Sequence, residues 1–395
     1  MIDLLLIVLF TLSVILIIYH HAGYPVLLKW YAKTHPLPLI KVRARKYKNQ
    51  GKDLSLPSIT ILVPAYNEAR WIQDKIRNLA CLDYPRDKLR IIIVSDGCTD
   101  ETVLLAHKTI QEAVCSDTHF EIISHHLNRG KVAVINDSMR DIVSDIVGLS
   151  DVSALISVDA LLIAAEHFNN QNIGVVNPCY QLFSTTNKGE EKYWKYQSQI
   201  KKAETTLGST LGSHGAFYLF RRHLFQPLAN NTINDDFILP MQIVKQGFSA
   251  HYDPNMVALE LEPSSQNDDF KRRLRISAGN MQQALQLWTL FGPRYMGVAF
   301  AFFSGKGLRL LTPYLMLACL TSSVLLSQNL IFLTLLILQL TLYTAALTCY
   351  LNPKFQVNTL ITLITYLLSG HLANFIGGLR YLMGLENRRW KRVNH

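Results

Sequence analysis

Apolar residues are distributed along this chain in two different ways, and the difference divides it. At the ends they run unbroken. Residues 2–19 (IDLLLIVLFTLSVILIIY) carry one charge, Asp3, and the run continues past His20 and His21 to Leu28. Between Leu310 and Leu351 there is no Asp, Glu, Lys or Arg, which leaves room for two spans or a hairpin, and a third run covers Phe355 to Leu379. A membrane-crossing helix needs about 20 such residues. A charge at the bilayer centre costs roughly 2.5–3.5 kcal/mol on the insertion scale, so its absence is a signal. The first run has no basic segment ahead of it and no small-residue cleavage site after it, so it predicts an anchor rather than a removable signal.

In the middle, short apolar runs alternate with helical periodicity. Ser58–Val63 (SITILV) and Arg90–Val94 (RIIIV) predict buried strands, with further strands at 120–124, 146–150 and 215–220. Helices are predicted at 67–79, 100–113, 131–143, 190–207, 236–247 and 270–289. Continuous apolar strands alternating with helices predict an α/β domain, a Rossmann-like, mostly parallel sheet covered on both faces. Ligands bind such sheets beyond the carboxyl ends of the strands. Asp96 and Asp151 stand just after two such ends, and Asp236 opens a helical run. The expected divisions are an anchor at 1–30, a basic juxtamembrane linker at 31–56 and the α/β domain at 57–290. An interfacial segment at 291–308, transmembrane helices at 309–384 and a basic tail at 385–395 complete the chain. The basic, aromatic 190–207 helix either lies on the membrane surface or packs on the α/β domain through Trp194.

The net charge of +10 is consistent with nucleic-acid binding, but its placement points elsewhere. Lys41, Arg43, Arg45, Lys46 and Lys48 follow the first span, and Arg388, Arg389, Lys391 and Arg392 sit near the other end. Basic residues beside spans match the positive-inside pattern and suit anionic head groups, and no nucleic-acid motif accompanies them. They predict a multi-pass inner-membrane protein with the α/β domain in the cytoplasm, in contact with membrane lipids. Three full C-terminal spans would leave the basic tail outside, so either one segment is re-entrant or the tail breaks the rule. The six cysteines show no paired spacing, as expected of reduced thiols.

Six motifs follow one another: VPAYNE (Val63–Glu68), VSDGCTDET (Val94–Thr102), NRGK (Asn128–Lys131), SDVS (Ser150–Ser153), DDFILP (Asp235–Pro240) and KRRLRI (Lys271–Ile276). This order is similar to that of family 2 glycosyltransferases. The chain resembles their membrane-bound branch, which includes cellulose, chitin and hyaluronan synthases and non-processive bacterial relatives. The resemblance covers roughly residues 57–290 and extends to FFSGKGLRLLTPYL and HLANFIGGLRYLMG. It implies a GT-A domain that inverts configuration while moving a sugar from a nucleotide sugar, UDP-linked, to a hydroxyl of a glycan or lipid-linked acceptor. The implied setting is synthesis of cell-surface or extracellular polysaccharide. Two rivals remain, a polyprenyl-phosphate or lipid glycosyltransferase and a catalytically silent subunit that binds nucleotide or glycan.

Site residues follow from the same resemblance. Pro64, Tyr66, Glu68, Asp96, Arg129 and Lys131 are assigned to the donor, Asp96 accepting from the uracil ring N–H. Asp96 could instead be a turn residue, and Asp100 is the better helix cap. Asp151 matches the first acid of the DxD motif, which holds Mg²⁺ or Mn²⁺ against the diphosphate because hard cations prefer carboxylate and phosphate oxygens. The third position of that motif is Ser153 rather than Asp, a weaker neutral ligand. Asp236 is implied as the general base, with Asp235 beside it at the usual Glu; such bases contribute about 10²–10⁴-fold. Arg272 and Arg275 match the basic positions that stabilise the leaving diphosphate, while Ile276 replaces the motif's Trp, which argues for a non-processive enzyme or an acceptor other than a long glucan. His214 and Gly215 fall near the acceptor loop.

Overall fold

The computed structural model describes every residue except 39, 41, 43–44, 184–187, 263–265, 353–358 and 386–395. Lys41, Arg43 and the basic residues of the tail thus lie outside the described residues, as do the side chains at 52, 188–192, 266–269 and 359–360. The chain forms two compact units, one from Met1–Trp30 with Gln266–Glu386 and one built on Tyr31–Ser265. It opens with α1 (Ile2–Ile18), which passes through a π-helical turn at Tyr19–Gly23 into α2 (Tyr24–Thr34).

The second unit is an eight-stranded mixed, mostly parallel sheet with helices in the crossovers, the Rossmann-like arrangement that the alternating periods predict. Its elements begin with β1 (Ile59–Ala65), α3 (Ile72–Ala80), β2 (Leu89–Asp96), α4 (Thr102–Thr109), β3 (His119–His125) and α5 (Lys131–Asp141). They continue with β4 (Ile146–Ser150), β5 (Ala154–Ile156), α6 (Ala160–Phe168), β6 (Ile173–Leu182) and α7 (Lys188–Thr206), then β7 (Phe217–Arg221), α8 (Asp235–Lys245) and β8 (Ser249–Glu260). The sheet order is β3-β2-β1-β4-β7-β6-β8-β5. β3, β2, β1 and β4 are mutually parallel, β7 is antiparallel to β4 and β6, and β8 runs parallel to β6. Every residue of β1 and β4 is buried, because a parallel sheet is covered on both faces.

One predicted boundary moves for a local reason. The first helix starts at Ile72 rather than 67, since Asn67 adopts φ 55° and bonds Thr99 instead. α7 packs on the sheet: the Trp194 ring meets Tyr180 at 4.5 Å and His214 at 5.1 Å. Of the two settings open to this helix, the contacts are those of packing through Trp194.

The first unit is completed by α9 (Gln266–Gln286), α10 (Gly297–Ala301), a second π-helical turn at Phe302–Gly307, α11 (Leu308–Leu325), α12 (Leu330–Leu351) and α13 (Thr359–Leu382). Among the described residues four helices are long and apolar enough to cross a membrane: Ile2–Thr34, Gly297–Leu325, Leu330–Leu351 and Ile361–Leu382. Polar contacts tie three of them together. Tyr19 Oη and Ser304 Oγ lie 2.9 Å apart, His20 Nδ1 is 2.8 Å from the Ser304 carbonyl, and His21 and His371 meet at 3.1 Å.

Candidate active site

The loops that leave β1, β2 and β4 converge at the carboxyl end of the sheet. Pro64 lies in β1, paired with Val94. Tyr66 and Glu68 follow on a loop stitched to the one after β2. The Glu68 N–H donates to Thr102 Oγ1 at 2.7 Å and the Ala69 N–H to Asp100 at 3.1 Å. Asp100 also accepts from the Thr102 N–H at 3.0 Å, which makes it the polar group at the start of α4.

Asp96 ends β2 and is fully buried. Its carboxylate accepts from the backbone N–H of Arg129 at 3.0 and 3.1 Å and of Gly130 at 2.7 Å. It therefore fixes the NRGK loop, whose Gly130 has φ 92°. Arg129 reaches Asp137 at 2.7 Å. The next residue, Lys131, opens α5 and points into an acidic cluster. Its Nζ is 2.7 Å from Asp151 Oδ1 and 3.6 Å from Asp235 Oδ2. Burial alone would lower its pKa, but Asp151, Asp235 and Asp236 outweigh that and raise it. Lys131 is a fixed cation.

Asp151 follows β4, with its side chain about one-third exposed (36%). Asp235 and Asp236 form the first turn of α8, where the helix dipole favours carboxylates. Gly215 joins the two acids. Its N–H donates to Asp236 Oδ2 at 3.1 Å, and a Cβ placed on it would meet Asp151 Oδ2 at 2.8 Å and Lys131 Nζ at 3.6 Å. Asp151, Asp235, Asp236, Lys131 and Gly215 thus occupy one polar hollow, although 85 residues separate the first acid from the last. Ser153 is buried, and its hydroxyl hydrogen-bonds Glu260, whose pKa burial raises against that bond. Among the described residues no three His, Cys, Asp or Glu side chains form a metal site by themselves.

His214 lies beside the hollow rather than in it. Its ring stacks on Tyr180 at 3.7 Å, and its Nδ1 accepts from the Ala216 N–H at 3.2 Å. Arg272 and Arg275 are exposed on α9 and belong to the other unit. Four residues around the hollow carry no motif and escape a reading from sequence. Lys75 and Tyr218 are fully buried, Lys201 bonds the carbonyls of Leu211 and Gly212 at 3.0 Å each, and Glu260 backs Ser153. Lys75 sits at helical spacing with Ile72, Ile76 and Leu79, and a lysine on that apolar stripe is the one signal available.

The family model described as "Glycosyltransferase like family 2" matches residues 57–279, over half of the chain. The chain belongs to glycosyltransferase family 2. Its matched segment contains all six motifs above in full. This family 2 chain is 26% identical over 276 residues to the poly-beta-1,6-N-acetyl-D-glucosamine synthase of Staphylococcus aureus (strain COL), covering 67% of itself and 65% of that protein. It is 23% identical over 258 residues to an N-acetylglucosaminyltransferase of Mesorhizobium japonicum, covering 59% and 58%. The match thus spans about two-thirds or less of the length of these relatives. A solved mannosyltransferase from Pyrobaculum calidifontis, in complex with GDP-Man and Mn²⁺, superposes with a TM-score of 0.70 at 21% identity, over 96% of this chain and 100% of that one. That likeness is one of fold.

Proposed function

We propose that this family 2 chain is an inverting, membrane-bound glycosyltransferase that moves a sugar from a nucleotide sugar to an acceptor hydroxyl. The observation that carries the reading is the convergence of Asp151, Lys131, Asp235 and Asp236 around Gly215. A base on one side of a bound sugar and cation-holding groups on the other is the layout an in-line displacement requires. Asp236 takes the proton from the acceptor hydroxyl as it attacks the anomeric carbon, and the nucleoside diphosphate leaves from the opposite face. Gly215 holds the base through its N–H, and its missing Cβ lets that backbone lie against Asp151. Asp96 shapes the NRGK loop that presents Arg129 and Lys131 to the diphosphate.

A divalent cation fits this donor set. The Asp151 carboxylate is partly open and the Ser153 hydroxyl is backed by Glu260, so Asp151 and Ser153 would hold Mg²⁺ or Mn²⁺ with oxygens of the donor completing its shell. When bound, such an ion offsets charge on the leaving diphosphate. The names of the curated relatives favour an N-acetylglucosamine donor and a polysaccharide product, and the family resemblance favours a UDP-linked donor and a cell-surface destination. The four long apolar helices favour an integral membrane setting, with the α/β unit on the cytoplasmic side where nucleotide sugars are made. The test is a panel of radiolabelled UDP- and GDP-sugars offered to the detergent-solubilised full chain with Mn²⁺. Consumption of a UDP-sugar with release of UDP is expected; consumption of no nucleotide sugar in the panel would overturn the reading.

A further inference from the structure

α3 presents its apolar stripe to the sheet, and one residue of that stripe is a lysine. Ile72, Ile76 and Leu79 are buried as the helical period requires, and Lys75 is buried with them at 0% exposure. A lysine in such a place needs partners, since an unpaired buried polar group is strongly destabilising. The Lys75 Nζ donates to Ser150 Oγ at 2.6 Å and to the Ala154 carbonyl at 2.5 Å. These two acceptors are the last residue of β4 and the first of β5, so the amine bridges the turn that carries Asp151 and Ser153. Ser150 passes the constraint on, its Oγ donating to the Ala216 carbonyl at 2.7 Å. That carbonyl also accepts the Asp151 N–H at 3.2 Å. Ala216 follows Gly215, whose N–H holds Asp236. One turn further along α3, Asn78 makes a reciprocal pair with the Ile156 backbone, at 2.9 and 2.8 Å.

We propose that Lys75 is a positioning residue for the reaction: its buried amine fixes the Asp151–Ser153 turn and, through Ser150, the Gly215–Ala216 backbone, so the cation-holding acid and the base keep a set relation. The inference rests on the transferase reading above. Burial lowers the Lys75 pKa to about 7, with Asp151 and Glu260 opposing that shift. The two hydrogen bonds stand in either protonation state, because a neutral amine still has two N–H groups to donate. Nothing in the six motifs marks this residue, and its role is visible once β4, β5 and α3 are in place.

The test compares three variants of the full chain in detergent: Lys75→Met, Ser150→Ala and Asn78→Ala. Mn²⁺ binding in the presence of saturating UDP is followed by the electron paramagnetic resonance of free Mn²⁺, alongside thermal melting, kcat and KM. Removal of a group that orients a metal ligand typically costs about 10–100-fold in affinity. Lys75→Met and Ser150→Ala are expected to weaken Mn²⁺ binding at least about tenfold and to lower kcat. Asn78→Ala grips the same strand away from the turn, so it is expected to lower the melting temperature while leaving Mn²⁺ affinity and kcat unchanged. If Lys75→Met does not fold, Ser150→Ala carries the comparison. Wild-type Mn²⁺ affinity in Ser150→Ala, or an equal loss in Asn78→Ala, overturns the proposal and leaves Lys75 a stabilising residue. A wild type that holds no Mn²⁺ with UDP or GDP overturns the transferase reading and this inference with it.

Discussion

Gly215 has no side chain where there is no room for one. A Cβ there would stand 2.8 Å from Asp151 Oδ2, so Gly215→Ala must push the carboxylate away or shift the backbone that holds Asp236. A misplacement of about 1 Å can cost on the order of 10²-fold in rate. Gly215→Ala is therefore expected to lower turnover at least about tenfold with little change in melting temperature, measured as donor consumption beside a melting curve. Gly212 is constrained differently: its φ is 64° and a Cβ would meet the Phe237 ring at 2.2 Å. Gly212→Ala is expected to lower the melting temperature itself. At this scale the sequence was informative about the acids and silent about their supports. Asp151, Lys131 and Asp236 stand in recognisable strings, whereas Lys75 and Glu260 act through partners that only the folded chain brings near.

Elements differ in how openly they declare themselves. β1 to β4 are apolar runs bounded by polar turns, and their expected positions lie close to the observed ones. β5 has three residues, too few for any period to show. α6 is buried at eight of its nine positions, so no polar face betrays a helix. β6 and β8 contain Pro178 and Pro254, and their pairing slips between Pro178 and Cys179, which breaks the alternation a strand would show. β8 also carries a group expected to make the fold sensitive to acid. Burial, then neighbouring His167, lowers the His251 pKa to about 4 from its ordinary value of 6.5. The unfolded chain takes up this proton first, so stability is retained above pH 6.5 and declines as pH falls from about 6.5 to about 4. The slope from one such group is at most about 1.4 kcal/mol per pH unit. His251→Gln is expected to flatten that limb of melting temperature against pH; an unchanged limb would assign the sensitivity elsewhere.

At the scale of the whole molecule, the chain is a polar α/β unit and a unit assembled from both ends of the sequence. The long apolar runs announced the helical unit because charge is excluded from a bilayer interior. The close approach inside it was not legible. A Cβ on Gly377 of α13 would fall 2.5 Å from the Leu274 carbonyl of α9, and small residues at such contacts let helix backbones approach. Gly377→Leu is expected to destabilise this unit by about 1–3 kcal/mol, seen as a lower melting temperature in detergent. The proposed function rests on Asp236 acting as the base beside Asp151. The most direct measurement is Asp236→Asn assayed for nucleoside diphosphate binding and for sugar transfer in the same preparation. Retained binding with transfer reduced by at least about 10²-fold is the expected result, and transfer at the wild-type rate would contradict it.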